Sequence, residues 1–344
     1  MIPIFLTAAI SLLIAGLGTP WLIRILSLRG IGQQIREDGP SGHSTKAGTP
    51  TMGGIAIVAA TVLGWAGGHL VPDTAFSWSG FLATFSIAGA GFVGFLDDWI
   101  KVRRRRSLGL NKRAKMAGQV AVALLFALGA LHYAHVNTSI GFGVASAALF
   151  NAGSVGWVAW AALVMTGASN AVNLTDGLDG LAAGSMSFAA SCLVVMGYWE
   201  LRHPGEYHVA SSLDLSLTAV ALLGACIGFL WWNAAPAKIF MGDTGSLAIG
   251  AGLAAIALQM KIDLLLPVIG GLFVLVTLSV VLQIASFRLF GRRIFRMAPL
   301  HHHFELAGWP ETTVIVRFWI MAGLCAGAGL GLFFGQYIAL RGQL

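Results

Sequence analysis

Charge is the scarcest thing in this sequence: Asp, Glu, Lys and Arg make up 10% of 344 residues, against 57% hydrophobic residues. With a mean hydropathy of +0.80, that balance excludes an ordinary soluble globular domain and indicates an integral membrane protein. Cysteine is nearly as scarce. Cys192, Cys226 and Cys325 stand singly inside apolar runs, so they read as small buried hydrophobes and not as a disulfide framework or zinc site. No basic stretch precedes the first apolar segment, whose cations Arg24 and Arg29 lie at its far end. That argues against a cleavable signal peptide and for a retained first span.

What is abundant is long apolar runs. A crossing needs about 20 apolar residues, and the chain divides into ten such spans, at 4–25, 53–70, 80–96, 116–133, 155–172, 181–198, 215–232, 240–258, 264–287 and 314–340. The expected fold is therefore all-α and polytopic, one membrane domain over 1–344, with both termini on the same side. Lys and Arg choose that side. The loops after the first, third, seventh and ninth spans hold Arg29, Arg36, Lys46, the run from Lys101 to Lys115, Lys238, Arg288, Arg292, Arg293 and Arg296. The opposite loops and the tail hold little beyond Arg202, Lys261 and Arg341. Positive charge stays in the cytoplasm, which places both termini outside. The formal charge of +7 is thus one-sided, a signal of topology and of anionic lipid or substrate, and not of nucleic acid.

The polar motifs gather on that cytoplasmic side, in loops near 27–52, 97–115, 170–180, 233–243 and 288–313. The third span ends in Asp97 and Asp98, followed by Lys101, four arginines from Arg103 to Arg106, and Lys115. The basic run fits a solvated helix end. Two acids fit it less well, because carboxylates gain nothing beside an anionic leaflet. Successive helical side chains diverge by about 100°, so the pair need not share a proton. In the first loop, Lys46, Thr49 and Thr51 stand beside Gly53 and Gly54, either as a flexible linker or where backbone can approach a phosphate closely.

Between the fifth and sixth spans, Asn170, Asn173, Asp176 and Asp179 recur every three residues, more polar groups than a short turn requires and costly to bury without partners. After the seventh span come Asn233, Lys238, Phe240 and Asp243. Asp243 either caps the next helix, with Thr244 and Ser246 as further capping residues, or serves as a metal ligand. Phe240 is core, or stacks on a flat base. Gly270 and Gly271 predict a tilt or break in the ninth span. Pro299 and Pro310 then bracket His301, His302 and His303. On a helix these imidazoles fan around the axis and cannot converge on one ion, so hydrogen bonding to phosphate, helped by Arg292, Arg293 and Arg296, is preferred. The last span spaces Gly323, Gly327, Gly331 and Gly335 four apart, which lets a helix pack closely within the bundle or across a homodimer.

Five aspartates at three cytoplasmic edges, with lysine, arginine and histidine alongside, suit Mg2+ shared with a pyrophosphate and phosphoryl transfer at the membrane surface. PTMGG from Pro50, FVGFLDDWIKV around Asp97, NAVNLTDGLDGLA around Asp176, FMGDTGS at Asp243 and MAPLHHHFELAGWPE around His301 together resemble the phospho-N-acetylmuramoyl-pentapeptide transferase family. These belong to the wider polyprenyl-phosphate N-acetylhexosamine-1-phosphate transferases.

The resemblance implies ten transmembrane helices and a magnesium-dependent reaction at the inner face of the bacterial cytoplasmic membrane. UDP-N-acetylmuramoyl-pentapeptide and undecaprenyl phosphate would give lipid I and UMP in peptidoglycan synthesis. By motif match, Asp243 would bind the metal, and Asp97 would engage or deprotonate the lipid phosphate with Asp98 supporting it, both also counted as metal positions. Asn173, Asp176 and Asp179 would belong to the nucleotide and pyrophosphate region. Asn233 and Phe240 would serve the uridine pocket, Lys46, Thr51, Lys101 and Lys115 anion positioning. His301, His302 and His303 would sit near the donor's phosphates or sugar, and the bent ninth span would border a groove for the polyprenyl chain. Direct attack by the lipid phosphate is expected over an aspartyl intermediate. Two rivals are an ion-coupled transporter, which should show acids near the bilayer midplane or internal repeats, and a sister transferase using UDP-N-acetylglucosamine.

Overall fold

The computed structural model describes residues 1–32, 48–104, 108–144, 148–209 and 211–341. Its elements in chain order are α1 (Ile2–Leu28), α2 (Gly54–Gly68), α3 (Trp78–Arg104), α4 (Lys112–His132), β1 (Ser139–Ile140), β2 (Phe150–Asn151), α5 (Gly153–Thr175), α6 (Leu181–Arg202), α7 (Pro204–Tyr207), α8 (Ser212–Asn233), α9 (Gly242–Gln259), α10 (Leu266–Ile269), α11 (Gly271–Phe290), α12 (Leu300–Leu306) and α13 (Glu311–Arg341). The fold is all-α and polytopic. The two short strands form one antiparallel hairpin, Ser139 opposite Asn151 and Ile140 opposite Phe150.

Each of the ten expected spans is helical, and among the described residues eight helices are long and apolar enough to cross a membrane. The other two are α2, which has only 15 residues, and α9, which is buried along its length from Thr244 to Gln259. A helix buried all round is a core helix and does not meet lipid. Around α9 pack α3 and α5, with α2 and α8 also touching it; α1 and α6 pack on α8, and α13 on α6. Leu13, Leu17 and Trp21 of α1, and Leu324 and Ile338 of α13, are exposed on the outer surface, where acyl chains are the compatible solvent.

Small residues set how closely α9 is approached. A Cβ on Gly54 of α2 would collide with the backbone of Gly245, and one on Gly94 of α3 with the carbonyl of Asp243. These glycines hold α2 and α3 against the start of α9. The ninth expected span breaks as anticipated: α10 ends at Ile269, Gly270 is the cap between the two helices, and α11 starts at Gly271.

At the far end of α3, Asp214 of α8 accepts from the indole of Trp65 at 2.6 Å and from the amide and hydroxyl of Ser77 at 2.8 Å each. That network fastens the α2–α3 connection to α8.

Candidate active site

The last turns of α3 carry Asp97, Asp98 and Lys101. One turn of helix brings the Lys101 ammonium to 2.6 Å from Asp97 Oδ2 and 3.5 Å from Asp98 Oδ1. The two carboxylates then diverge, as adjacent helical positions must. Asp97 accepts the amide of Leu110 at 2.8 Å, and Gly109 lies so close that a Cβ there would meet the Asp97 carboxylate at 2.6 Å. Beyond this tight return, Asn111 caps α4 by accepting from the amide of Ala114 at 2.7 Å. Lys115 follows in the first turn of α4.

Asp98 points to the start of α9. It accepts the amide of Asp243 at 3.2 Å and, from Thr244, the amide at 2.9 Å and the hydroxyl at 2.7 Å. The N-cap residue of α9, Met241, makes no side-chain cap bond. The orphan amides of that helix end are therefore satisfied by a carboxylate from α3, favourably placed at the positive end of the helix dipole.

This capping leaves Asp243 free for other partners. Its Oδ2 receives Lys101 at 2.7 Å and Lys115 at 2.8 Å, and its Oδ1 receives the amide of Asn173 at 2.6 Å. Asn173 also donates to Ser246 Oγ at 2.8 Å. One oxygen from each of Asp97, Asp98 and Asp243 lies within 4.8 Å of the others. Oxygen ligands of magnesium stand about 2.0–2.1 Å from the ion, hence about 4 Å apart when opposite. Three hard carboxylates gathered this closely could close on such an ion, and the Lys101 ammonium is the positive charge now among them.

The α5–α6 turn closes one side. Asp176 is the C-cap of α5. Burial pushes its carboxyl up to about 8, and the negative charges of Asp243, Asp98 and Asp179 act in the same direction. Asp179 is tied on two sides: its backbone amide donates to the side chain of Glu311, at Oε1, at 3.2 Å, and its Oδ2 accepts from the amide of Ala237 at 2.9 Å. Asn233 is buried, accepting from the amide of Gly180 at 3.1 Å and donating to the carbonyl of Ile239 at 2.9 Å. Both residues thus brace the α5–α6 turn against the α8–α9 connection.

The first loop docks on the segment before α9 through its backbone. Phe240 N donates to the Pro50 carbonyl at 2.8 Å, Gly53 N to Phe240 O at 2.9 Å and Gly54 N to Met241 O at 2.8 Å. Gly53 and Gly54 thus face protein: a Cβ on Gly53 would meet the Phe229 ring at 2.5 Å. Thr51 and Phe240 are both partly exposed beside this docking. Lys46, Arg105 and Arg106 lie outside the described residues.

The three histidines have three different environments. His301 is fully buried, and a Cβ on Gly177 would strike its ring, so α12 packs on the α5–α6 turn. His302 Nδ1 lies 2.6 Å from Glu305 Oε2, and His303 Nδ1 accepts the amide of Arg296 at 3.1 Å. Arg296 itself turns to the Leu306 carbonyl at 2.6 Å, while Arg292 and Arg293 are exposed at the foot of α11. Sequence reasoning passed over Glu305 and Glu311. For Glu305 a signal existed, its position three after His302 on a helix; for Glu311 there was none, since its partner Asp179 is 132 residues away.

Residues 80–261 match the family model described as glycosyl transferase family 4, and residues 46–58 match phospho-N-acetylmuramoyl-pentapeptide-transferase signature 1. The chain is 50% identical over 348 residues to the phospho-N-acetylmuramoyl-pentapeptide-transferase of Frankia alni, covering 98% of each chain. It is 51% identical over 355 residues to the enzyme of the same name from Thermobifida fusca, covering 98% of this chain and 99% of the relative. It is 48% identical over 358 residues to that of Streptomyces avermitilis, again covering 98% and 99%.

Proposed function

The chain belongs to the phospho-N-acetylmuramoyl-pentapeptide transferase family, and on that premise we propose that it transfers phospho-N-acetylmuramoyl-pentapeptide from its UDP donor to undecaprenyl phosphate. The products are lipid I and UMP, made on the cytoplasmic face of a bacterial cytoplasmic membrane with both chain termini outside. The observation that carries this reading is the gathering of Asp97, Asp98 and Asp243 within 4.8 Å, with Lys101, Lys115 and Asn173 bonded to Asp243.

In this reading an oxygen of the lipid phosphate attacks the sugar-bearing phosphorus of the donor, the pyrophosphate P–O bond breaks, and UMP leaves. Lys101 and Lys115 offset the repulsion between the two anionic substrates and the charge that develops in transfer. Asp97 orients the incoming phosphate and accepts any proton it carries. Asp98 acts through α9, holding the backbone that displays Asp243, while Asn173 fixes the rotamer of Asp243. Asp243, Asp97 and one oxygen of Asp98 would hold Mg2+, whose chemistry when bound is charge neutralisation of pyrophosphate oxygens.

Phe240 stacks on the uracil, and Thr51 and Lys46 contact donor anions. Asp176 belongs to the pyrophosphate region. Asn233 and Asp179 shape the nucleotide pocket by holding its backbone, and the three histidines stand near the donor's phosphates and sugar. The whole chain acts as a single transferase unit.

Purified protein with undecaprenyl phosphate and Mg2+ should release UMP from UDP-N-acetylmuramoyl-pentapeptide at least a hundred-fold faster than from UDP-N-acetylglucosamine, and EDTA should stop it. Comparable turnover of the simpler donor would overturn the substrate assignment. A phospho-sugar adduct trapped on Asp97 or Asp98 would overturn direct attack.

A further inference from the structure

The second half of α11 leaves the protein body. Its buried residues are Leu272, Phe273, Val276 and Ser279, and from Val280 to Phe290 none is buried. Phe290 is 72% and Leu289 73% exposed, so this half-helix has acyl chains as its compatible neighbours. Its tip is charged with one sign. Between Asp263 and Glu305 the sequence contains no acid, yet it places Arg288, Arg292, Arg293 and Arg296 there.

The tip is also built. After Gly291 the chain turns back along the helix and is held by two polar side chains of its last turns. Gln283 accepts the amides of Ile294 and Phe295 at 3.0 Å each and donates to the Phe295 carbonyl at 2.9 Å. Ser286 donates to the Arg292 carbonyl at 2.9 Å. The result is an open concavity of about 580 Å³ lined by Ser286, Phe290, Arg292, Arg293 and Ile294. None of the aspartates, lysines or histidines of the candidate active site lines it.

We propose that this concavity binds the headgroup of an anionic glycerophospholipid, with the phosphate between Arg292 and Arg293 and the acyl chains along Phe290 and Ile294. Charge complementarity selects this occupant: two guanidiniums with no carboxylate lining the concavity among the described residues, on an apolar half-helix surrounded by lipid, match a phosphodiester that carries its own hydrocarbon. The lipid braces the tip of α11, whose outer half has no buried residue from Val280 to Phe290 and is held by the chain that turns back after Gly291. Arg292 and Arg293, expected from the sequence to help the histidines bind phosphate, are here assigned to a lipid phosphate instead, because they line a concavity that none of those histidines lines; the test does not depend on turnover.

The experiment is native mass spectrometry of the full-length protein in detergent, titrated separately with dioleoyl-phosphatidylglycerol, dioleoyl-phosphatidylcholine and undecaprenyl phosphate. The wild type should retain phosphatidylglycerol over phosphatidylcholine, and the preference should weaken with salt. Arg292→Gln with Arg293→Gln should lose about five-fold in phosphatidylglycerol affinity per guanidinium removed, with undecaprenyl phosphate retention unchanged. Arg292→Lys with Arg293→Lys should keep most of the preference, which separates loss of charge from misfolding. Unchanged phosphatidylglycerol retention in the Gln variant would overturn the proposal. So would a parallel fall in undecaprenyl phosphate retention, since the patch would then belong to the substrate's path.

Discussion

The Asp98 carboxylate accepts both the amide and the hydroxyl of Thr244, at 2.9 and 2.7 Å, so the end of α9 is capped by a residue from α3 and not by its own chain. This frees Asp243, the acid nearest that end, to face the two lysines and Asn173.

Replacing Asp98 should therefore damage structure as well as activity. In Asp98→Ala the buried donors at the start of α9 lose their acceptor, at about 1–3 kcal/mol for each one left unsatisfied. Thermal unfolding in detergent should drop by several degrees. Asp243→Asn should unfold close to the wild-type temperature while losing metal binding and turnover. If Asp98→Ala unfolds like the wild type, the capping role is wrong.

The Lys101 ammonium occupies the space among the three carboxylates, and like charges compete for one site. Lys101→Gln should bind Mn2+ several-fold more tightly than the wild type in the absence of substrate, read by electron paramagnetic resonance, even as turnover falls. Weaker Mn2+ binding would show that Lys101 supports the site without competing for it.

Asp176 supplies a pH dependence. Its carboxyl is raised in the folded state to about 8 from 3.8, so the folded protein binds a proton that the unfolded chain has already released. Its contribution to stability is full below about pH 4 and is lost as pH rises toward 8. Asp176→Asn, which cannot ionise, should gain on the wild type in unfolding temperature as metal-free samples are taken from pH 5 to pH 8. A difference constant across that range would refute the shift.

Gly54 meets the backbone of Gly245 with no room for a methyl group. Gly54→Ala should push α2 away from α9, at about 1–3 kcal/mol for overpacking, and should disturb the Gly53 and Gly54 hydrogen bonds to Phe240 and Met241. A stability scan beside a donor-affinity measurement should show both falling. An unchanged pair would mean that α2 shifts freely.

How far the site could be read in advance differed from residue to residue. Asp97, Asp98, Asp243 and Asn173 stood out because carboxylates and amides beside apolar spans are costly to bury without partners, although capping stood as an alternative for Asp243. Thr244 was read as a capping residue, and its hydroxyl instead donates to Asp98. Gly53 and Gly54, read either as part of a flexible linker or as room for a phosphate, prove to be contact points of the first loop and α2 with α8 and α9. Asn233 and Asp179 show backbone partners across the α5–α6 and α8–α9 connections.

The spans and the break at Gly270 were legible from composition because the bilayer imposes a one-dimensional rule, about 20 apolar residues per crossing, which any local window obeys. The division of labour between Asp97 and Asp98, and the standing of α9 as a core helix, were not. They depend on partners 70 to 146 residues apart, such as Asn173 with Asp243 and Asp98 with Thr244. Such distances are closed only when glycine-lined helices pack side by side, and no local stretch of chain contains that packing.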